Sequence, residues 1–254
     1  MKDFRAVLFD FDGVIAHTLG IVKHSLIQLF QKNNLPLDED EFESWKWGTK
    51  SLVQLSAILK EKYSIELDPT AIHAHIWETQ KALFEAWLES DPSLIPFLEY
   101  CKNCDKKIAI GSNSGTSRIE WVVQLLQLEK YFLKNSLLEG GEKNQNEERG
   151  IYWKTNPPPS LDSGTSFKKE VEYTIIGANM LTNHKPDPEV WLKCAEMLEI
   201  PITDCLVIED GLPGLTGASQ CGARGIYYHR FCRPEKACIE LAERSVESFE
   251  ELLK

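Results

Sequence analysis

The stretch Leu8-Phe9-Asp10-Phe11-Asp12-Gly13-Val14 decides the fold of this chain more than any other segment. The apolar run 6–9 predicts a buried strand, and Gly13 allows the backbone to turn sharply after it. Asp10 would lie at the carboxyl end of that strand, and Asp12 would project from the following loop. Such a pair offers one nucleophile and one acid or base. A lone Asp-x-Asp is also typical of a strand that ends in an acidic turn, so the interpretation depends on the rest of the chain.

Four further apolar runs predict strands, and segments with helical patterns separate them. These runs cover residues 108–110, 173–176, 206–208 and 226–228. Strands that alternate with helices predict the α/β class, with a parallel, doubly wound sheet.

Polar side chains follow three of these strands at the point where each strand ends. Asp10 and Asp12 follow the first, Ser112-Asn113-Ser114 follows the second, and Glu209-Asp210 follows the run 206–208. In an open α/β sheet the ligand crevice lies beyond the carboxyl ends of the strands. These groups are therefore expected to converge on one site.

Between the first two strands the pattern is helical only, from Val14 to about Pro92. A block of about 75 residues is too large for a simple crossover, so it predicts a separate helical cap. The predicted division is a core domain of residues 1–16 and 92–254 and a cap domain of residues 17–91. Pro69 is expected to open the long last helix of the cap. The three predicted cap helices have these apolar faces: Val22, Leu26, Leu29 and Phe30; Leu52, Leu55 and Leu59; and Ile72, Ile76, Leu83 and Trp87.

Composition and charge narrow the classes of function. The chain has 254 residues, 43% of them hydrophobic, so it can bury a substantial core. Its net charge of −11, without a Lys/Arg-rich tract, argues against binding to nucleic acid or to anionic membranes. Because the start shows no secretory signal and no apolar run reaches transmembrane length, the protein is expected to be soluble and cytoplasmic.

Two other features are interpreted as structural. The 7 cysteines have irregular spacing, which does not indicate a disulfide framework. Cys101 and Cys104 form a single CxxC at a predicted helix end, and without a second pair they are interpreted as packing residues rather than zinc ligands. The stretch 134–169, rich in Gly, Pro and polar residues, predicts a long surface excursion.

Four carboxylates fall in the converging segments: Asp10, Asp12, Glu209 and Asp210. Brought together they would repel one another strongly, which a cation among them would make tolerable. Hard oxygen ligands without neighbouring His or Cys favour magnesium over zinc. The sequence therefore predicts a Mg²⁺ site.

Groups suited to phosphate oxygens occur in two other segments. Ser112, with the backbone N–H groups around Asn113 and Ser114, stands at the head of a predicted helix 118–126 and supplies hydrogen-bond donors. Lys185 would supply a fixed positive charge. Alone it is more typical of a solvated surface lysine, and the other segments reverse that interpretation.

Lys185 is followed by Asp187-Pro188-Glu189. Asp187 is expected to cap a helix and Pro188 to be its first residue. A loop would then present the lysine beside a helix start.

The ordered set of segments resembles the haloacid dehalogenase superfamily of phosphotransferases. DFDGV (10–14) matches its first motif, IGSNS (110–114) its second, the lysine of HKPDPE (184–189) its third, and VIEDGLPG (207–214) its fourth. The resemblance covers nearly the whole chain and implies a Rossmann-like α/β core. The helical insert looks like the type 1 cap of the phosphoglucomutase and phosphoglycolate phosphatase branch.

The resemblance implies a role for each motif residue. Asp10 would be the nucleophile and Asp12 the general acid/base. Ser112, Asn113 and Lys185 would hold the phosphate.

For the metal, the resemblance implies Mg²⁺ bound by Asp10 and Asp210, with the backbone carbonyl of Asp12. Glu209 would bind it directly or through water.

Members of this branch commonly carry Asp followed by Ser or Thr just after the first motif, whereas this chain has His17-Thr18. Thr18 is expected to cap the first helix of the cap, and His17 to alter the substrate entrance. The excursion 134–169 is also longer than the corresponding family connection.

Substrate choice is expected to come from the cap, because the core would contact only the phosphate. The candidate specificity residues are His17, Lys46, Trp47 and Lys50. Aromatic and cationic groups there would suit a polar, sugar-like or anionic leaving group. The alternative is that the tryptophans of this stretch pack the cap and the lysines face water.

The resemblance thus implies a Mg²⁺-dependent phosphatase acting on a small phosphorylated metabolite, as a monomer or homodimer. A phosphomutase of the β-phosphoglucomutase type is an alternative that the sequence leaves open. A non-enzymatic phospho-accepting or binding module is a remote alternative. A phospho-accepting receiver domain has no use for a large cap, and a purely binding descendant is disfavoured because every motif residue is present.

Overall fold

A computed structural model describes residues 4–35, 52–133 and 174–253 of the chain. Within these ranges, 6 parallel strands form one sheet in the order β3-β2-β1-β4-β5-β6. The strands are β1 (Ala6–Phe9), β2 (Lys107–Gly111), β3 (Ile175–Ile176), β4 (Cys205–Glu209), β5 (Arg224–Tyr228) and β6 (Arg244–Val246). The predicted α/β class and parallel sheet are confirmed. The excursion 134–169 and the stretch 45–50 lie outside the described residues.

Helices connect and flank the strands. They are α1 (Leu19–Lys32), α2 (Leu52–Tyr63), α3 (Pro69–Trp87), α4 (Leu94–Asn103), α5 (Thr116–Leu125), α6 (Glu129–Phe132), α7 (Glu189–Met197), α8 (Leu212–Cys221) and α9 (Lys236–Leu241). Short 3₁₀ turns cover Ala178–Met180, Ile202–Asp204 and Phe249–Leu253. Among the helices described here, none combines the length and the apolar character needed to span a bilayer.

The central strand β1 sets the position of the site. Its register pairs Phe9 with Ile110 of β2 on one side and with Ile208 of β4 on the other. The residues that follow the pair Phe9 and Ile208 are Asp10 and Glu209. Because the strands are parallel, these two carboxylates emerge side by side at the carboxyl edge of the sheet.

The sheet is buried on both faces. Val7 and Phe9 of β1 pack into one apolar cluster, and Ala6 and Leu8 pack into a second cluster on the opposite face. This division follows from the period of two residues along a strand. A strand covered on both faces reads as a continuous apolar run, which is why β1 was visible in the sequence.

Helices α1, α2 and α3 share an apolar cluster of their own. The buried members are Leu26, Leu29, Phe30, Leu55, Leu59 and Ile72, which belong to the three predicted apolar faces. Pro69 opens α3 as predicted, and the Asp68 side chain accepts hydrogen bonds from the backbone N–H groups of Thr70 and Ala71. Trp87 was wrongly assigned to the apolar face: it is 53% exposed and contacts the ring of His24 edge-on. The domain boundaries at residues 16 and 92 stay a prediction.

One strand was missed in the sequence. The strand β6 has the sequence Arg-Ser-Val and pairs in parallel with β5 at the edge of the sheet. Three residues with one buried apolar side chain produce no periodic signal. Pairing with β5, which depends on the tertiary fold, gives these three residues their strand conformation.

Three local predictions need correction. Helix α7 begins at Glu189, one residue after the predicted start, although the Asp187 carboxylate still accepts a hydrogen bond from the Glu189 N–H at 2.9 Å. Helix α5 begins at Thr116, before the predicted 118. Cys101 is buried as expected, but Cys104 is exposed, because it follows the last residue of α4 as the C-cap and no longer lies on the buried face of the helix.

Candidate active site

Three carboxylates meet at the carboxyl edge of β1 and β4. Asp10, Glu209 and Asp210 each offer an oxygen, and these oxygens lie within 4.8 Å of one another. The backbone N–H of Asp10 donates to the carbonyl of Ile208 at 2.8 Å, which extends the strand pairing into the site. The sheet register therefore holds the cluster together.

Two glycines make room for these carboxylates. A Cβ on Gly13 would lie 1.9 Å from Oδ2 of Asp210, and one on Gly214 would lie 1.9 Å from Oε2 of Glu209. Gly13 also has a φ of +87°, which disfavours any residue with a side chain. The carboxylates thus occupy the space that a larger residue would fill.

Lys185 lies inside the cluster. Its Nζ is 2.7 Å from Oδ1 of Asp10 and 2.8 Å from Oε2 of Glu209, and its side chain is only 5% exposed. The ammonium also lies 4.2 Å from the centre of the Trp191 ring. The lysine is therefore not the solvated surface residue that the sequence alone left possible.

The charges in this cluster do not balance. Three carboxylates face one ammonium, and burial together with the Glu209 charge raises the pKa of Asp10 to about 7. Burial and the charges of Glu209 and Asp10 also raise the pKa of Asp210 well above its usual value. Burial lowers the pKa of Lys185, but the charges of Asp10 and Glu209 outweigh this and raise it. A crowded, oxygen-only set of this kind fits a hard divalent cation such as Mg²⁺.

Asp12 has a separate set of partners. Its Oδ1 accepts hydrogen bonds from Thr18 Oγ1 at 2.5 Å and from Arg118 Nη1 at 2.8 Å. Its Oδ2 accepts from Ser114 Oγ at 2.6 Å and from Arg118 Nη1 at 3.0 Å. Burial raises the pKa of Asp12, but the Arg118 charge and these hydroxyl groups outweigh it and hold the pKa below its usual value.

Arg118 and the hydroxyl of Ser114 were not predicted as neighbours of Asp12. A signal was present, because Arg118 lies four residues after Ser114, at the head of α5. The structure also corrects Thr18, which occupies the N-cap position of α1 but makes no side-chain capping bond. Its hydroxyl donates to Asp12 instead, since a charged acceptor gives the stronger hydrogen bond.

Ser112 and Asn113 lie in the loop after β2, as predicted. Ser112 is buried, and its Oγ accepts a hydrogen bond from the backbone N–H of Ser114 at 3.0 Å. Asn113 Oδ1 accepts from the backbone N–H of Lys185 at 3.1 Å. These bonds connect the loop after β2 to the loop that carries the lysine.

His17 lies where the chain leaves the sheet region for α1. Its ring is stacked on Phe231, with centroids 4.3 Å apart and planes 7° from parallel. Its backbone N–H donates to the carbonyl of Glu89 at 2.8 Å. The other candidate specificity residues, Lys46, Trp47 and Lys50, lie outside the described residues.

A parallel α/β sheet with clustered carboxylates and a buried lysine at its carboxyl edge has the groups needed to hold a divalent cation and a phosphoryl group. A family model described as haloacid dehalogenase-like hydrolase matches residues 4–145, more than half of the chain. The chain belongs to this family of hydrolases.

Individual relatives are distant. The chloroplastic protein Suppressor of Quenching 1 of Arabidopsis thaliana is 24% identical over 224 residues, which are 87% of this chain and 17% of that protein. The bifunctional riboflavin kinase/FMN phosphatase of the same plant is 24% identical over 220 residues, 87% of this chain and 47% of that protein. This chain therefore spans less than half the length of these two relatives.

A third relative is similar over most of its own length. The phosphorylated carbohydrates phosphatase of Thermotoga maritima is 23% identical over 225 residues, 88% of this chain and 84% of that protein. Among solved structures, CbbY from Rhodobacter sphaeroides in complex with phosphate has a TM-score of 0.71 at 18% identity. That similarity covers 98% of this chain and 96% of the other, and it shows the fold.

Proposed function

We propose that this protein is a Mg²⁺-dependent phosphatase that hydrolyses a small phosphomonoester through an aspartyl phosphate on Asp10. The observation that carries the proposal is the cluster of Asp10, Glu209 and Asp210 around the ammonium of Lys185. Asp12 stands two residues beyond Asp10, with its own hydrogen-bond donors. Two relatives named as phosphatases support the same reaction class.

Asp10 acts as the nucleophile in this proposal. One carboxylate oxygen forms a bond to phosphorus while the bond from phosphorus to the leaving oxygen breaks. A carboxylate is a weak nucleophile, so its orientation matters, and the Lys185 ammonium at 2.7 Å fixes one of its oxygens. Lys185, together with Ser112 and Asn113, also holds the phosphoryl oxygens.

Asp12 acts as the general acid and then as the general base. Because its pKa is held below the usual value, Asp12 first takes up a proton from solvent, which it gives to the leaving oxygen as the bond from that oxygen to phosphorus breaks. In the second step it takes a proton from water. The water oxygen then bonds to phosphorus while the bond from phosphorus to the Asp10 oxygen breaks, which frees the Asp10 carboxylate and releases inorganic phosphate. One difficult displacement is thereby divided into two easier ones.

The residues that would hold Mg²⁺ are Asp10, Asp210 and the backbone carbonyl of Asp12, with Glu209 as a direct or water-mediated ligand. When bound, the ion neutralises charge on the phosphoryl group and orients it for in-line attack. Gly13 leaves space for the Asp210 carboxylate in this set.

The proposed substrate class is a small phosphorylated metabolite with a polar leaving group. The core offers its charged groups to the phosphoryl end, so selection among leaving groups would depend on residues of the segment 17–91. His17, Lys46, Trp47 and Lys50 are the residues proposed for that selection.

The test is phosphate release from a panel of sugar phosphates and nucleotides, with and without Mg²⁺. Asp10→Asn is expected to lose at least about a thousandfold in kcat and to form no acid-stable phosphoenzyme, since a neutral amide replaces the anionic carboxylate that attacks phosphorus. Full activity in Asp10→Asn would remove Asp10 from the role of nucleophile.

Asp204→Asn is the matched control. Asp204 lies next to the start of β4, at the opposite end of the strand from Glu209, and pairs with Arg5 at 3.5 Å. This variant is expected to keep wild-type activity. Conversion of a hexose 1-phosphate to a 6-phosphate with little free phosphate would identify a phosphomutase instead.

A further inference from the structure

The three side chains that donate to Asp12 differ in which oxygen they contact. Thr18 donates to Oδ1 and Ser114 to Oδ2, whereas Arg118 contacts both oxygens. The guanidinium Nη1 lies 2.8 Å from Oδ1 and 3.0 Å from Oδ2 of Asp12. The same Nη1 donates to Ser114 Oγ at 2.7 Å, and that hydroxyl donates to Oδ2. Arg118 therefore controls the carboxylate both directly and through Ser114.

The guanidinium of Arg118 also lies near two aromatic rings. Its centre lies 5.7 Å from the Phe11 ring and 5.4 Å from the Phe84 ring. Phe84 belongs to α3 and is 1% exposed, and its ring meets that of Trp121 edge-on at 5.3 Å. The arginine thus contacts one ring from the loop after β1 and one ring from α3.

We propose that Arg118 is the positioning residue for Asp12, and that it holds the carboxylate in the orientation needed for proton transfer. The inference rests on the proposed function, in which Asp12 protonates the leaving oxygen while Asp10 bonds to phosphorus. Arg118 itself contacts neither Asp10 nor Lys185 in the described hydrogen bonds. Its effect on catalysis is transmitted through Asp12.

This role makes a distinct kinetic prediction. An alkyl phosphate, such as a sugar phosphate, releases an unstable alkoxide and needs the proton from Asp12. p-Nitrophenyl phosphate releases a stable anion and needs it little. General acid catalysis contributes about 10²- to 10⁴-fold, so loss of Arg118 affects the first substrate far more than the second.

The experiment compares kcat for the two substrates in wild type, Arg118→Met and Arg118→Lys. Arg118→Met is expected to lose about 100-fold on the alkyl phosphate and less than about 5-fold on p-nitrophenyl phosphate. Arg118→Lys keeps a charge without the planar fork and is expected to fall between wild type and Arg118→Met. If Arg118→Met does not fold, Arg118→Lys decides by the same substrate comparison.

Arg224→Gln is the matched control, because Arg224 also binds a carboxylate, Glu243, but lies at the start of β5, away from the carboxyl edge. Both substrates are expected to be hydrolysed at wild-type rates by this variant. Equal losses on the two substrates in the Arg118 variants, or no loss, would overturn the positioning role. A wild-type protein that releases no phosphate from either substrate would instead overturn the proposed function, and this inference with it.

Discussion

At the scale of single residues, the absence of a Cβ at two glycines determines where the carboxylates lie. Gly13 and Gly214 each face a carboxylate that would overlap with a side chain at that position. The site therefore depends on the missing side chains of these two glycines as well as on the charged residues. The sequence indicated the turn at Gly13, but its contact with Asp210 depends on the fold.

Gly13→Ala is expected to displace the Asp210 carboxylate and to weaken Mg²⁺ binding at least tenfold. The left-handed φ of +87° adds strain of about 1–2 kcal/mol to the folded state. Mg²⁺ titration calorimetry and denaturant unfolding measure the two effects.

Gly20→Ala is the control for that change. Gly20 lies in α1, and among the described residues no heavy atom outside its own helical turn comes within 4 Å of an added Cβ. Alanine there is expected to raise the free energy of unfolding by up to about 1 kcal/mol and to leave Mg²⁺ affinity unchanged. Equal Mg²⁺ affinities in the two variants would contradict the role given to Gly13.

At the scale of elements, α3 reaches the site region through one aromatic side chain. Phe84 packs on Trp121 of α5 and against the guanidinium of Arg118. Trp77 of α3 also meets Trp121, with ring centroids 5.4 Å apart. The contact between these two helices is therefore aromatic, with Phe84 buried and the two tryptophans partly exposed.

Phe84→Ala is expected to lower the free energy of unfolding by about 3–5 kcal/mol, because it removes a buried ring from this contact. Trp87→Ala, in the same helix, removes a ring that is 53% exposed and is expected to cost less than about 1 kcal/mol. Chemical denaturation of both variants gives the comparison. A Phe84→Ala variant as stable as Trp87→Ala would show that the contact contributes little.

Elements differed in how well the sequence predicted them. Strands β1 and β4 are buried on both faces, so their apolar runs were visible without knowledge of the fold. Strand β6 has only three residues and owes its conformation to pairing with β5. Thr18 shows a similar limit for a helix end. Its hydroxyl donates to Asp12, which lies outside α1, and the sequence pattern of the helix gives no sign of that acceptor.

At the scale of the whole molecule, the net charge is −11, and negative charge is also in excess within the site. The three clustered carboxylates are incompletely neutralised by Lys185, and their mutual repulsion opposes folding when no cation is bound. Binding of Mg²⁺ to the folded state alone would stabilise the protein by mass action.

The stability of the metal-free protein is expected to depend on pH through Asp10. Its pKa is about 7 in the folded protein against an ordinary value of 3.8, so the folded state holds this proton more tightly. The contribution of Asp10 to stability is therefore present at low pH and is lost as the pH rises through about 7. Mg²⁺ needs the deprotonated carboxylate, so Mg²⁺ is expected to raise the Tm more at about pH 8 than at about pH 5. At a hundredfold excess of Mg²⁺ over Kd, the free energy of unfolding would rise by about 2.7 kcal/mol.

Asp210→Asn tests whether repulsion among the clustered carboxylates destabilises the metal-free protein. It removes one of the repelling charges, so the metal-free variant is expected to be more stable than wild type near neutral pH. Its stabilisation by Mg²⁺ is expected to be largely lost. A variant that Mg²⁺ stabilises as strongly as wild type would exclude Asp210 from the metal site.

The sequence by itself determined the α/β class, the order of the four motif segments and the residue types suited to phosphoryl chemistry. Periodicity and motif spacing are local properties of the chain, so they can be read without coordinates. The tertiary structure decided which of these groups touch. Asp12 and Arg118 are 106 residues apart, and their contact exists only because the register of β1 and β2 brings the loop after β1 beside the head of α5. Contacts of that kind depend on packing between distant segments, which no local pattern encodes.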